Sequence, residues 1–175
     1  MFNLKDLHSF YQSILNLRQN DAFEPIKNIV SNEQTKLSNY TDDVTGYCKY
    51  IASQIETSLN KVNIYTYWID LNDLASIDHV ILIAEYMTNN KVKRILIDPT
   101  YKQFTKSANT KLIKLKEWPS ERLDKDILND LLTDGITKID DNNFKNYLNS
   151  FGTTNFDVSL DDYLLEQKLN RRLKR

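Results

Sequence analysis

The chain has 175 residues, of which 41% are hydrophobic and 27% charged, and its formal net charge is −1. These values are typical of a soluble globular protein, so we expect residues 1–175 to form a single domain. A chain so close to neutrality has no overall field that would attract nucleic acid or a membrane surface. No apolar run approaches the ~20 residues that a membrane span requires. We therefore expect no nucleic-acid partner and no membrane span.

The N-terminal residues mix polar and apolar side chains at helical spacing, a pattern that does not predict a secretory signal. Cys48 is the only cysteine, which excludes an intramolecular disulfide and suits a reducing compartment. We expect a cytoplasmic protein; delivery into the cytosol of another cell by a signal-independent route would leave the same features. The sequence does not indicate an oligomeric state.

Helical spacing of apolar residues dominates the first sixty positions. It predicts an amphipathic helix over residues 4–17 and a short helix over 26–30, followed by a polar loop over 33–45. A third helix follows, with Cys48 in its first turn and Thr45 as its candidate cap. The apolar stripe of this helix consists of Cys48, Ile51, Ala52, Ile55 and Leu59.

Three β-strands are predicted next, because β-branched and aromatic residues are concentrated there. They cover Val62–Ile69, His79–Met87 and Val92–Ile97, and the turn residues Asn89-Asn90-Lys91 join the last two as a hairpin. Beyond Phe104 the pattern predicts a weak strand over 111–115 and helices over 123–132, 144–151 and 160–173. These elements indicate an α+β fold in which an antiparallel sheet lies beside the helix that bears Cys48.

Three side chains with catalytic potential follow one another in the order cysteine, histidine, aspartate. Cys48 comes after Gly46-Tyr47 at a helix start, where the dipole and free N–H groups favour a thiolate. His79 opens one predicted strand and Asp98 ends its pairing partner, so the carboxylate could bond the far ring nitrogen. In thiol enzymes with this order, an imidazole activates the sulfur and a carboxylate orients the imidazole. We therefore predict a Cys48–His79–Asp98 triad, with the N–H of Cys48 as one oxyanion donor.

Each of these residues also has an ordinary structural explanation. A lone cysteine on an apolar helix face is usually part of the core, and Asp-Pro commonly ends a strand. The agreement of chain order, element type and local context is what favours a triad. A zinc site would have to use Cys48, His79 and Asp98 themselves, whereas zinc usually recruits more Cys or His. We expect neither a metal nor a cofactor.

The sequence around these residues resembles the core of transglutaminase-like proteins, which belong to the wider papain-like group of cysteine enzymes. The resemblance spans roughly residues 44–104 and is carried by Gly46-Tyr47-Cys48, Asp78-His79-Val80-Ile81-Leu82-Ile83 and Arg94-Ile95-Leu96-Ile97-Asp98-Pro99-Thr100-Tyr101. It implies Cys48 as nucleophile, His79 as general base and acid, and Asp98 as the residue that orients His79. It also implies a papain/transglutaminase-like core, with the nucleophile helix packed on a small antiparallel sheet between N- and C-terminal helices.

Two places in the chain depart from the pattern of that family. Ile81 stands where many relatives have a tryptophan, two residues after the histidine. Asp42 and Asp43 stand where papain-type proteases place a glutamine that donates to the oxyanion. The second oxyanion donor is therefore unassigned, and papain-type proteolysis is less expected than other acyl chemistry.

The sequence thus predicts a thiol enzyme that transfers the acyl group of an amide in a protein or peptide substrate. It does not choose between glutamine deamidation, transglutamination and proteolysis. Two alternatives stay open: a non-catalytic binding or regulatory module on the same fold, and an N-acyltransferase that takes its acyl group from an acetyl-coenzyme A-type thioester. Substitution of Cys48 separates the first alternative from an enzyme, and an acetyl adduct on Cys48 would identify the second.

Overall fold

The computed structural model describes residues 21–106, 118–152 and 156–173. The helices are α1 (Phe23–Tyr40), α2 (Cys48–Asn60), α3 (Leu71–Ala75), α4 (Pro119–Arg122), α5 (Lys125–Asp134), α6 (Asp141–Ser150) and α7 (Leu160–Leu173). The strands are β1 (Thr66–Asp70), β2 (Val80–Thr88), β3 (Lys91–Ile97) and β4 (Ile136–Ile139), and a 3-10 turn covers Tyr101–Phe104. The predicted helix over 4–17 and the predicted strand over 111–115 lie outside the described residues. Within these ranges, every helix is too short or too polar to cross a lipid bilayer.

The four strands form one antiparallel sheet in the order β1-β2-β3-β4. This mixture of helices and an antiparallel sheet confirms the predicted α+β class. The predicted β2–β3 hairpin is also confirmed, because Asn89 and Asn90 both adopt positive φ angles, 51° and 58°. Two-residue hairpin turns require that conformation, and asparagine tolerates it better than most residues.

Strand β2 is buried on both faces, which explains why its sequence is almost continuously apolar. Val80, Leu82 and Ala84 belong to a core cluster shared with α1 and α2. Ile81 and Ile83 point to the opposite side and join a second cluster formed with the C-terminal helices. Full burial of each such side chain stabilises the fold by about 1.5–3 kcal/mol, so the centre of the sheet is a rigid frame.

Helix α1 is longer than predicted, because it continues through the expected loop over 33–45 as far as Tyr40. Its buried stripe consists of Ile26, Val30, Glu33 and Leu37. Glu33 interrupts the hydropathy pattern but not the helix, since its side chain is only 8% exposed and Lys36 pairs with its carboxylate at 2.7 Å. A charged residue at a buried position thus made helical sequence resemble a loop.

Two strands also differ from the prediction. Strand β1 begins at Thr66 instead of Val62, because Asn63 has a positive φ of 59° in the turn that follows α2. Strand β4 was not predicted at all, and its four residues pair with β3 at the edge of the sheet. Such a short strand is defined by its distant partner more than by its own pattern.

The residues that follow β3 are held in place by the residue before β4, the neighbouring strand, and by helix α1. The N–H of Asp98 donates to the carbonyl of Gly135 at 2.9 Å, and Gln34 of α1 donates to the carbonyl of Pro99 at 3.2 Å. Gly135 has φ +69°, and a Cβ atom there would lie 3.0 Å from the Cα atom of Pro99 and 2.7 Å from Gln34 Nε2. A larger residue would be strained at this φ and would press against Pro99 and Gln34, so glycine is favoured where the chain passes the end of β3.

Candidate active site

Cys48 is the first residue of α2, and its side chain is only 6% exposed. Gly46, with φ +81°, and a hydrogen bond from the N–H of Tyr47 to the carbonyl of Val44 (3.1 Å) form a tight turn before the helix. The prediction that Thr45 caps α2 is wrong, since Tyr47 is the N-cap and makes no side-chain capping bond. The first N–H groups of a helix have no intrahelical acceptor and lie at the positive end of its dipole. Cys48 therefore lies where a developing negative charge is favoured.

Asp43, in the region where the family pattern has a glutamine, has a local structural role. Its Oδ1 atom accepts a hydrogen bond from the N–H of Thr45 at 2.9 Å, within the turn that leads to Gly46. An ionised carboxylate has no proton to donate to an oxyanion. A second oxyanion donor, if one acts, has to come from a different position in the chain.

His79 is completely buried and immediately precedes β2. Its backbone is fixed on both sides, because its N–H donates to Ile77 (2.9 Å) and its carbonyl accepts from Leu71 (2.8 Å). Its ring atom Nε2 lies 2.9 Å from Oδ2 of Asp98. The other ring nitrogen, Nδ1, makes no hydrogen bond of standard geometry to any described residue. Nδ1 is therefore the atom available to exchange a proton with Cys48.

Aromatic rings surround the imidazole of His79 and separate it from water. Phe104 meets it edge to face at a centroid distance of 4.9 Å, and Phe151 lies at 6.4 Å. Edge-to-face aromatic packing restrains a ring in one orientation. Exclusion of water also strengthens the electrostatic interactions of His79 in its protonated form.

Asp98 directly follows β3 and is completely buried. Its Oδ2 atom interacts with His79 Nε2 and also accepts a hydrogen bond from the hydroxyl of Tyr147 at 2.6 Å. Its Oδ1 atom accepts from the hydroxyl of Thr100 at 3.4 Å, and Thr100 accepts in turn from Gln103 at 3.3 Å. Burying a carboxylate is costly unless hydrogen bonds satisfy it, and these partners satisfy both oxygens of Asp98.

The electrostatics of Cys48 and His79 shift their pKa values in opposite directions. Burial alone would raise the pKa of the Cys48 thiol, but the proximity and charge of the His79 ring lower it below its ordinary value, assisted by the backbone N–H groups of Val80 and Lys49. Burial would lower the pKa of His79, but the charge and hydrogen bond of Asp98, followed by the proximity and charge of Cys48, raise it to about 9. Together, these shifts favour a thiolate–imidazolium pair.

The structure thus places Cys48, His79 and Asp98 at one end of the sheet, where β2 begins and β3 ends. Tyr147, which bonds Asp98, was not identified from the sequence. It lies 49 residues beyond Asp98 and belongs to the apolar stripe of α6, so its spacing indicated only packing. Thr100 lies within the segment from Arg94 to Tyr101 that carries the family resemblance, but the sequence indicated no role for it.

Comparisons of the chain with protein-family models, with curated proteins and with solved structures each find no match. The chemistry available at the site follows from its own side chains. A thiol with a lowered pKa can attack a carbonyl carbon, and an adjacent imidazolium can deliver a proton to a leaving group. A buried carboxylate that holds the far ring nitrogen fixes which nitrogen faces the thiol.

Proposed function

We propose that this chain is a thiol-dependent acyl-transfer enzyme that acts on amide bonds of a protein or peptide through Cys48, His79 and Asp98. The observation that carries the proposal is the fully buried His79–Asp98 pair, 2.9 Å apart, beside a thiol at a helix N-terminus. We also propose that the surrounding elements form a papain/transglutaminase-like core. The order of the three residues and the helix that packs on the antiparallel sheet support that assignment.

In the first half of the reaction, Cys48 Sγ attacks the carbonyl carbon of the amide. The carbonyl π electrons move to oxygen, and the N–H of Cys48 stabilises the resulting oxyanion. As the C–N bond breaks, the proton on His79 Nδ1 passes to the departing nitrogen. Ammonia or an amine leaves, and the acyl group stays on Cys48 as a thioester.

In the second half, neutral His79 removes a proton from the acyl acceptor. The acceptor attacks the thioester carbon, the C–S bond breaks, and the electron pair returns to Cys48 as a thiolate. Water as the acceptor gives a carboxylic acid, which corresponds to deamidation or proteolysis. An amine as the acceptor gives a new amide, which corresponds to cross-linking.

The accessibility of Cys48 favours the side-chain amide of glutamine as the acyl donor. Only 6% of Cys48 is exposed, so little of the thiol is open to an approaching carbonyl group. A terminal carboxamide on a flexible side chain is more slender than a backbone amide, which has a chain segment on both sides. Deamidation or transglutamination therefore fits this site better than cleavage of the main chain.

Trapping the thioester tests the proposed function. Glutamine-containing peptides are mixed with the protein, with and without a primary amine, and the reaction is quenched in acid for intact-mass spectrometry. We expect an acyl adduct on Cys48 and release of ammonia, and peptides with glutamate in place of glutamine serve as the matched control. A parallel sample with acetyl-coenzyme A distinguishes thioester donors from amides. If no amide peptide gives an adduct or ammonia, the proposal is wrong.

A further inference from the structure

We infer that Tyr147 is a positioning residue of this site, which holds the carboxylate of Asp98 and limits how strongly that carboxylate binds the ring of His79. The inference rests on the proposed function, because it assigns Tyr147 a part in the proton transfers of that reaction. Tyr147 acts through Asp98 and does not itself touch the reacting atoms.

The geometry of Tyr147 carries the inference. Its side chain is completely buried on α6, on the face of the sheet opposite the α2 layer. Its hydroxyl donates to Oδ2 of Asp98 at 2.6 Å, and the same oxygen lies 2.9 Å from His79 Nε2. Two donors from different elements therefore share one carboxylate oxygen.

The hydrogen bond from Tyr147 to that oxygen affects the neutral and the protonated forms of His79 differently. When His79 is protonated, its positive charge already compensates the carboxylate of Asp98. When His79 is neutral, the carboxylate is uncompensated, and its charge-assisted hydrogen bond from Tyr147 is stronger. Tyr147 therefore stabilises the neutral form of His79 more than the charged form. A less basic ring gives up its proton more readily to the leaving amine.

The titratable groups that face this pair come from several elements. Cys48 reaches it from α2, Asp98 from the end of β3, Tyr101 from the 3-10 turn and Tyr147 from α6. Burial, followed by the charge of Asp98, raises the pKa of Tyr147 well above its ordinary value, so its hydroxyl stays a proton donor throughout the working range.

Tyr101 provides a comparison for the hydroxyl of Tyr147. The two rings lie 5.9 Å apart in the same buried cluster, and both side chains are completely buried. The hydroxyl of Tyr101 makes no hydrogen bond of standard geometry within the described part of the chain, whereas that of Tyr147 bonds Asp98. Tyr101→Phe is therefore a matched control for Tyr147→Phe.

Two titrations of the full chain test the inference: the ring signals of His79 by NMR, and the rate of Cys48 alkylation by iodoacetamide against pH. In Tyr147→Phe we expect the pKa of His79 to rise above its native value. Alkylation below neutral pH should become about three- to tenfold faster, since removal of a hydrogen bond to a charged group changes an equilibrium by at least that factor. Tyr101→Phe should titrate like the native protein.

A variant of the same ring provides a second test that does not depend on how Tyr147→Phe folds. Fluorotyrosine at position 147 has a more acidic hydroxyl and is a stronger donor, so the pKa of His79 should fall and alkylation at low pH should slow. Unchanged titrations in both Tyr147 variants, or an equal shift in Tyr101→Phe, would overturn the inference. Neither titration needs a substrate, so a negative result in the amide assay remains distinguishable from failure of this inference.

Discussion

Cys48→Ala is expected to abolish amide turnover and leave the fold intact. The sulfur is the only atom proposed to form a covalent bond with the substrate, and loss of such a nucleophile lowers turnover by a factor on the order of 10⁴ or more. The substitution removes one buried atom from a small side chain, so the free energy of unfolding should fall by only about 1 kcal/mol. Ammonia release and urea unfolding measure the two effects separately.

Ser53→Ala provides the control for this experiment, because Ser53 lies on the exposed side of the same helix. It should keep both activity and stability. If Cys48→Ala retained the turnover, Cys48 would not be the nucleophile and the proposed mechanism would be wrong. If it lost turnover but kept the biological effect of the native protein, the chain would act as a binding or regulatory module.

The second large effect is expected from Asp98→Asn. The substitution removes the charge that keeps the pKa of His79 at about 9, so burial dominates and that pKa falls. The new side-chain NH₂ group can also donate to Nε2 and place the ring proton on the wrong nitrogen. We expect turnover to fall by about 10²–10⁴-fold. This range is typical when acid–base catalysis is lost or when the catalytic histidine is held in the wrong tautomer.

The free energy of unfolding of Asp98→Asn should fall by less than the loss of a buried ion pair would suggest. Breaking such a pair costs about 3–5 kcal/mol when a charge stays buried without a partner, but His79 can lose its proton in Asp98→Asn. Asp78→Asn is the matched control, since Asp78 adjoins His79 yet is 86% exposed and pairs with Lys49 on the surface. Equal losses of kcat/KM in the two variants would exclude an orienting role for Asp98.

Local patterns in the sequence were sufficient to predict the elements that carry Cys48, His79 and Asp98. A glycine-containing turn before an apolar stripe located the start of α2, and the Asn89-Asn90 turn located the β2–β3 hairpin. A hairpin necessarily brings the beginning of its first strand near the end of its second. The proximity of His79 and Asp98 therefore followed from the sequence.

Features that depend on distant partners could not be predicted in this way. Glu33 is buried in α1 because Lys36 compensates its charge, and hydropathy alone assigned that segment to a loop. Strand β4 is defined by pairing with β3 across a long separation. The sequence pattern places Tyr147 on the apolar face of a helix, and only the folded chain brings its hydroxyl to Asp98.

The rate of Cys48 alkylation against pH, in the native protein and in His79→Ala, tests the central claim most directly. A cooperative unfolding transition establishes that the variant is folded before its thiol is titrated. We expect the native thiol to react with an apparent pKa, a property of the coupled pair, well below the ~8.5 of free cysteine. In His79→Ala the pKa should return to that value or exceed it, because burial, the largest influence, is then opposed only by the backbone N–H groups of Val80 and Lys49. A native thiol that is inert, or that titrates like free cysteine and is unaffected by His79, would contradict the thiolate–imidazolium pair and the enzyme proposed from it.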